Sequence, residues 1–223
     1  MPYSIFGVFM MFFVAVLAAT PALATWPCVT IDANPGGAVA IGDLDADHDI
    51  DVLVDDSLRW LQNTSASFGP PQSLSAETYT NDAVLADLDG DGDLDAAHIR
   101  WWNDVVWYEN LGGTFGPGTT LYTSTEATSL AAGDFDGDGV DELVIGETYD
   151  GVSILFTNGA RQTLIYSTYT TYELSAADLD ADGDDDLLMG GARIPFYGGS
   201  DLVRVAENAG GGTFSFHTLD LQR

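Results

Sequence analysis

The stretch Asp87-Leu88-Asp89-Gly90-Asp91-Gly92-Asp93-Leu94-Asp95 sets five aspartates on alternate positions of nine residues. Carboxylates this close repel one another and raise each other's pKa unless a cation joins them. A chain that needed only solubility would scatter its acids. Here the pattern recurs instead: aligned on their first acids, the clusters begin at Asp43, Asp87, Asp134 and Asp178, with spacings of 44, 47 and 44 residues. Periods of about 40 to 50 residues mark propellers or solenoids. Whatever this chain folds into must present one acidic turn four times.

Within each repeat the order of segments is constant. A small apolar segment enters the loop, as in Ala38-Val39-Ala40-Ile41, Ala83-Val84-Leu85-Ala86, Ser129-Leu130-Ala131-Ala132 and Leu174-Ser175-Ala176-Ala177. A short apolar run leaves it: Val52-Leu53-Val54, Ala96-Ala97-His98-Ile99, Leu143-Val144-Ile145 and Leu187-Leu188-Met189. A third segment ends at Asn63, Asn110, Asn158 or Asn208, which reads as a turn residue. The fourth segment includes Phe68-Gly69-Pro70, Phe115-Gly116-Pro117, Gln162 to Tyr166 and Thr213 to Phe216. Four short segments punctuated by Gly, Asn and Pro, without a helical period, predict a four-stranded meander, which is one propeller blade. The expected fold is all-β and propeller-like, with four four-stranded blades: a closed four-bladed ring, an open arc, or part of a larger ring. The repeats are expected at about 38–81, 82–128, 129–172 and 173–223, after a segment at 25–37 that supplies a strand and a linker.

Composition limits what such a chain can do. Its formal net charge is −29, from 35 acids against six arginines and no lysine. Nucleic acid is excluded as a partner, because binding its phosphates requires basic residues. The four clusters hold 21 of the 35 acids, so most of the charge is local. Ile5 to Ala19 is an apolar run followed by Ala22-Leu23-Ala24, a small-x-small cleavage pattern. Residues 1–24 therefore read as a signal peptide, and the expected location is extracellular, with no membrane insertion after cleavage. Cys28 is the single cysteine, so no internal disulfide framework is available.

The acidic turns match the chemistry of calcium, which takes six to eight hard oxygen ligands at about 2.3–2.6 Å. Small acids on alternate positions converge on such an ion. The expected side-chain ligands are Asp43, Asp45, Asp47 and Asp51; Asp87, Asp89, Asp91 and Asp95; Asp134, Asp136, Asp138 and Glu142; and Asp178, Asp180, Asp182 and Asp186. Backbone carbonyls are expected from Asp49, Asp93, Val140 and Asp184, giving up to four Ca2+ sites. An EF-hand loop needs an acid at position twelve, where this chain has Val54, His98, Ile145 and Met189. That class fails in all four copies.

The nine-residue loop closing into a strand resembles the calcium loops of the FG-GAP and VCBS repeat family, which includes the propeller of integrin α subunits. Its motif Asp-x-Asp-Gly-Asp-Gly-x-x-Asp is matched by Asp87 to Asp95, and by Asp134 to Glu142 with Glu in last place. The fourth copy has Ala181 for the first Gly, and the first copy has Ala46 and His48 for both, so its turn is expected to be strained or differently shaped. Phe68-Gly69 and Phe115-Gly116 keep the family's Phe-Gly, while its Gly-Ala-Pro portion is not evident, which places the chain nearer the VCBS type. The resemblance spans about Ala38 to Leu221 and implies a calcium-binding propeller used in adhesion, with partners on the rim away from the ions.

In an up-and-down blade the acidic loops are turns between strands one and two. The opposite rim then receives Trp101, Trp102, Asn103, Tyr149, Arg193, Phe196 and Tyr197, with Tyr79, Tyr169 and Tyr172 from the links between repeats. Aromatics gathered in loops suit a protein or glycan surface. Trp60 and Trp107, inside strands, read as packing between blades. Asn63-Thr64-Ser65 forms a glycosylation sequon. The expected function is a secreted calcium-binding module that binds an extracellular protein or glycan, with homo-oligomerisation as an option. The alternatives are a polysaccharide-acting enzyme using Glu126 or Glu173, or a subunit of a larger propeller. An enzyme is the weaker reading, because His48, His98 and His217 do not recur and have no evident orienting partner.

Overall fold

A computed structural model describes residues 39–54, 57–65, 67–76, 80–100, 104–124, 126–148, 150–156, 159–165, 169–193 and 202–219, all within one compact unit, Asn34–Arg223. The signal-peptide segment, Cys28, Asn158 and the rim residues Trp101, Trp102, Asn103, Tyr149, Phe196 and Tyr197 lie outside the described residues. No helix among the described residues is long and apolar enough to cross a membrane.

Among the described residues sixteen strands form four antiparallel sheets, each taken in chain order. Blade 1 contains β1 (Val39–Gly42), β2 (Asp51–Val54), β3 (Arg59–Leu61) and β4 (Gln72–Ser73). Blade 2 contains β5 (Thr80–Ala86), β6 (Asp95–Arg100), β7 (Asp104–Tyr108) and β8 (Thr119–Thr123). Blade 3 contains β9 (Ala127–Gly133), β10 (Glu142–Glu147), β11 (Gly151–Leu155) and β12 (Arg161–Ile165). Blade 4 contains β13 (Tyr169–Ala177), β14 (Asp186–Arg193), β15 (Leu202–Asn208) and β16 (Phe214–Leu219). In every blade the acidic loop joins strands one and two, as the sequence predicts.

The second strands are buried on both faces: Asp51–Val54 and Glu142–Glu147 are buried throughout. For β10 that follows from the layering, because blade 3 lies between two others and offers no solvent side to an inner strand. Three hydrophobic cores result, one between each pair of successive blades. Leu44, Leu53, Leu58 and Trp60 of blade 1 meet Ala96, Val106 and Tyr108 of blade 2. Leu88, Ala97 and Ile99 meet Leu130, Leu143, Ile145 and Leu155, and Phe135, Val144 and Ile154 meet Leu174, Leu187, Met189 and Ala206. The Trp60 ring stands edge-on to Phe115 at 5.9 Å, within the first core. Packing runs from β1 to β5 to β9 to β13, and among the described residues β13 does not return to β1 to a comparable extent. Among the described residues the blades follow one another as an arc, an arrangement shared by an open array and a segment of a larger ring.

Several sequence readings change. The Phe-Gly-Pro segments are not fourth strands; β4 and β8 begin later, and Phe68 and Phe115 make isolated bridges to Asn63 and Asn110. Gly69 and Gly116 N–H donate to Gln62 O and Glu109 O at 2.7 and 2.8 Å, so the segment folds back before Pro interrupts donation. First strands also begin earlier than their apolar segments. β5, β9 and β13 are extended by polar residues, each with a register shift in its pairing to the second strand (Thr80/Asp82, Gly146/Glu147 and Thr171/Glu173), which breaks the alternation that would reveal them. Tyr169 and Tyr172 therefore belong to β13 and not to a link between repeats.

The asparagine closing strand three is more than a turn residue. Asn110 N–H donates to Asp95 Oδ1 (2.7 Å), Asn110 Nδ2 donates to Leu94 O (3.0 Å) and to Leu44 O of the preceding blade (2.9 Å), and Gly113 N–H donates to Asn110 Oδ1 (2.8 Å). Asn208 repeats this with Asp186, Asp185 O and Phe135 O of blade 3. One carboxamide thus joins a loop, a strand and the neighbouring blade. Asn110→Ala would leave one buried and two partly buried backbone groups without these partners, a loss of about 2–4 kcal/mol. Urea unfolding with an unchanged m-value should read that loss in the midpoint.

The first acidic loop has the same shape as the others, at a conformational cost. Ala46 (φ 59°) and His48 (φ 72°) occupy the left-handed region where the second loop has Gly90 (77°) and Gly92 (91°). A side chain there costs about 1–2 kcal/mol. Ala46→Gly combined with His48→Gly should therefore raise stability by about 1–2 kcal/mol after glycine's entropy is counted. A lowered urea midpoint would contradict the strain.

Candidate metal centres

Each acidic loop is organised around the carboxylate of its first acid. Asp87 accepts the N–H groups of Gly90 (2.8 Å), Asp91 (3.1 Å) and Gly92 (3.0 Å), which curls the chain around it. Asp134 does the same for Gly137, Asp138 and Gly139, and Asp178 for Ala181, Asp182 and Gly183. Asp43 accepts from Asp47 and His48 at 3.2 and 2.9 Å. The alternate acids follow the curl inward.

The structure brings four groups of three carboxylates together, each with ligand atoms within 4.8 Å of one another: Asp43, Asp45 and Asp51; Asp87, Asp89 and Asp91; Asp134, Asp136 and Glu142; Asp178, Asp180 and Asp186. The fifth-position acids Asp47, Asp138 and Asp182 stand outside these trios. Their Oδ1 atoms accept N–H from Asp49, Val140 and Asp184, respectively. Asp91 also accepts such a bond, from Asp93, yet joins its trio. Asp95 is outside the second trio.

Closing acids serve a second purpose that spacing does not reveal. Asp51 accepts Leu44 N–H at 3.1 Å and Asn63 N–H at 2.6 Å; Asp95 accepts Leu88 and Asn110; Asp186 accepts Leu179 and Asn208. Glu142 accepts Phe135 N–H at 2.9 Å, its extra methylene fitting the same role. Each closing acid clamps the start of its loop, and three of them are seen to bond the end of strand three as well. A carboxylate has about four acceptor positions, so these bonds leave room for a cation.

The donor set suits a hard divalent cation. All groups are oxygen donors, and Asp45 Oδ1 is a buried atom with no hydrogen-bond partner in the protein. An ion would satisfy it. Burial, outweighing backbone hydrogen bonds, pushes Asp95 up to about 6 and Glu142 up to about 7, with Asp136, Asp134 and Asp138 adding repulsion at Glu142. Without a cation these sites hold carboxylates under electrostatic pressure.

Adjacent loops also touch. Asp87 N–H donates to Asp141 Oδ2 (3.0 Å) and Asp141 N–H donates to Asp87 O (2.8 Å), while Asp134 N–H donates to the Asp185 carboxylate. In the first junction Leu94 takes this place, so close to Gly42 that a Cβ there would lie 2.6 Å from Leu94 Cδ1. The acidic loops form one continuous row along the arc.

The far rim is described in part. Arg193 ends β14, its Cα paired with that of Tyr169. At the same end of blade 3, Glu147 is buried and forms an ion pair with Arg161; Ser124 Oγ donates to it at 2.6 Å and Tyr122 Oη at 3.3 Å. The Arg161 guanidinium lies 4.7 Å from the Tyr122 ring centroid. This group was missed because no one segment contains it; its only trace is Glu147 ending an otherwise apolar strand. His98 is fully buried against Tyr108 and pushed down to about 4 by burial, so it is neutral and closed to substrate. His217 pairs with Glu207 at 2.9 Å on the exposed outer sheet. Glu126 lies in the turn before β9 and Glu173 is exposed on β13.

Comparison with known proteins agrees with this geometry. Residues 99–145 match the model of the FG-GAP-like repeat, and residues 127–165 match the FG-GAP repeat. No curated protein sequence matches the chain at a significant level. Among solved structures, the crystal structure of BBS1N in complex with ARL6DN, soaked with lead, is similar with a TM-score of 0.59 and 16% identity, over 87% of this chain and 60% of that one. The same complex soaked with mercury gives a TM-score of 0.56 and 14% identity, over 82% and 57%. The Dos1 propeller gives 0.46 and 12%, over 77% and 44%. This chain therefore spans about 60% of the length of the BBS1N chain it matches. The order of the four sheets and the likeness to BBS1N support a propeller fold, and residues 99–165 match repeats of the FG-GAP family.

Proposed function

We propose that this chain is an exported, calcium-stabilised propeller module that binds a protein through the rim opposite its acidic loops. The observation that carries the reading is the fourfold recurrence of an all-oxygen trio on a turn whose backbone is already curled around one carboxylate. Six to eight hard oxygens, with carbonyls and water completing the shell, suit calcium better than magnesium, which holds its waters. The ions lie inside turns, so their role is structural. For a partner, the sequence puts Trp101, Trp102 and Tyr149, which lie outside the described residues, between the second and third strands of their blades. The fold-level likeness to BBS1N, described in complex with ARL6DN, supports a protein as the partner class. Export rests on the apolar run Ile5 to Ala19 and the Ala22-Leu23-Ala24 pattern.

Calcium removal should lower stability in a pH-dependent way. Glu142, pushed up to about 7, and Asp82 and Asp95, pushed up to about 6, hold protons in the folded state that the unfolded chain releases nearer pH 4. Their stabilising contribution to the metal-free fold is complete below the unfolded values and is lost as pH rises through 6 to 7. Calcium needs the ionised forms, so its protection grows over the same range. In chelator the melting temperature should fall from pH 5 to pH 8. At pH 8, calcium at about 100 times its Kd should raise it by roughly 5–10 °C per engaged site. A melt indifferent to chelator at pH 8 would remove the calcium reading.

The partner surface has its own test. A protein ligand obtained by affinity capture and confirmed with purified components should bind the combined Trp101→Ala and Trp102→Ala variant at least about tenfold more weakly, with the melting temperature unchanged. Unaltered affinity would place the binding surface elsewhere.

A further inference from the structure

The three junctions inside the arc provide a standard for what covers a blade. On the face each of the first three blades turns toward its successor, the second loop residue is buried: Leu44 at 1%, Leu88 at 2% and Phe135 at 0% exposure. So is the third residue of the second strand, which is Leu53, Ala97 or Val144. On blade 4 the equivalents are open, with Leu179 54% and Leu188 37% exposed. Cross-strand pairing puts Ser175, Leu188, Val205 and His217 on that same face, and Leu219 opposite Val203 extends it with 45% exposure. Among the described residues no element packs there.

The internal junctions also specify the covering surface. Blade 2 buries Leu85 and Leu94 against blade 1, Leu94 lying over Gly42, while the Asn110 carboxamide reaches Leu44 O. Blade 1 carries the counterparts of all three: Ile41, Ile50 and Asn63. Ile41 is 55% exposed and Ile50 is 50% exposed. Asn63 Nδ2 donates to Ile50 O at 3.1 Å, the bond that Asn110 makes to Leu94 O. Deeper on this face Val52 and Leu61 are already buried, so the open part is its loop end. The junctions after blades 2 and 3 place Asp141 and Asp185 where blade 1 has Ile50, so this end matches the apolar junction after blade 1 in particular.

We propose that the open face of blade 4 binds the loop end of blade 1 in a second copy of this chain, head to tail. Ile50 then takes the place of Leu94, its flexible end shifted outward because Ala177 carries a methyl where blade 1 has Gly42; Ile41 takes the place of Leu85, and the Asn63 carboxamide reaches the Leu179 carbonyl. The face of blade 4 and the loop end of blade 1 thus expose the two sides of a contact that is built inside the chain between blades 1 and 2. The contact is heterologous, because the two copies contribute different surfaces. It does not depend on which partner the far rim binds or on which cation fills the loops.

Sedimentation of the full chain with calcium, in about 0.15 M salt to screen the acidic surfaces, tests this. Wild type should show a mass of two chains or a multiple, falling to one chain on dilution. Leu179→Glu with Leu188→Glu should stay at one chain, and so should Ile41→Glu with Ile50→Glu, all four positions being exposed enough to keep the fold and its circular dichroism melt. Each variant keeps one competent face, so an equimolar mixture should recover a two-chain species. A wild type of one chain at every concentration, association that survives the blade 4 substitutions, or a mixture that fails to pair would each overturn the proposal.

Discussion

The second residue of each acidic loop is the point on which the remaining structure depends. Its N–H is taken by the closing acid of its own loop, and its carbonyl, in the first and third loops, by the asparagine of the next blade. Its side chain fills the core between the two blades, Phe135 and Leu44 being almost wholly buried. A loop that must gather carboxylates is thereby tied to a hydrophobic junction. Buried backbone groups require partners, and here one set of partners closes the turn, ends strand three and aligns two blades.

That arrangement explains why the acids can be tolerated. Backbone hydrogen bonds, two at Asp95 and one at Glu142, favour the ionised closing carboxylates, yet burial still dominates and raises both. The remaining carboxylates are kept close by backbone curvature, not by mutual attraction. Glycine at the two left-handed positions makes the curvature inexpensive in loops 2 and 3, while Ala46, His48 and Ala181 adopt it with a side chain present. Loop shape is thus set by hydrogen bonding to the first acid. Glycine lowers its cost without being needed for its form.

Much of this was legible in the sequence because a fourfold repeat averages out local ambiguity. The register of acids located all four strand-one to strand-two turns, and the short apolar runs at Val52 and Leu143 marked the strands that follow them. What the sequence concealed was relational. Asn110 looks like an ordinary turn asparagine, since nothing in its neighbourhood shows that Leu44, 66 residues earlier, needs a donor. The acceptor role of Asp95 is hidden because it involves backbone groups that carry no residue-specific signal. Phe115 suggested a strand through its aromatic character, whereas its ring serves to back Trp60. The Glu147 and Arg161 group is spread over three strands and leaves only one polar residue in an apolar run.

Stability in such an array is a sum of blades and nearest-neighbour junctions, so blades 2 and 3, with neighbours on both sides, are held most firmly. The segment that matches the FG-GAP repeats, residues 99–165, falls across these two blades. The departures from regularity fall outside it: the non-glycine turns at Ala46, His48 and Ala181, and the exposed Leu179 and Leu188. Where a loop lies between two blades, its neighbours fix residue identity at the second position and at the eighth. An outer loop has only one such neighbour. The same unit can therefore serve as internal scaffold in the middle of the arc and as an open surface at its ends, without any change in its acidic turn.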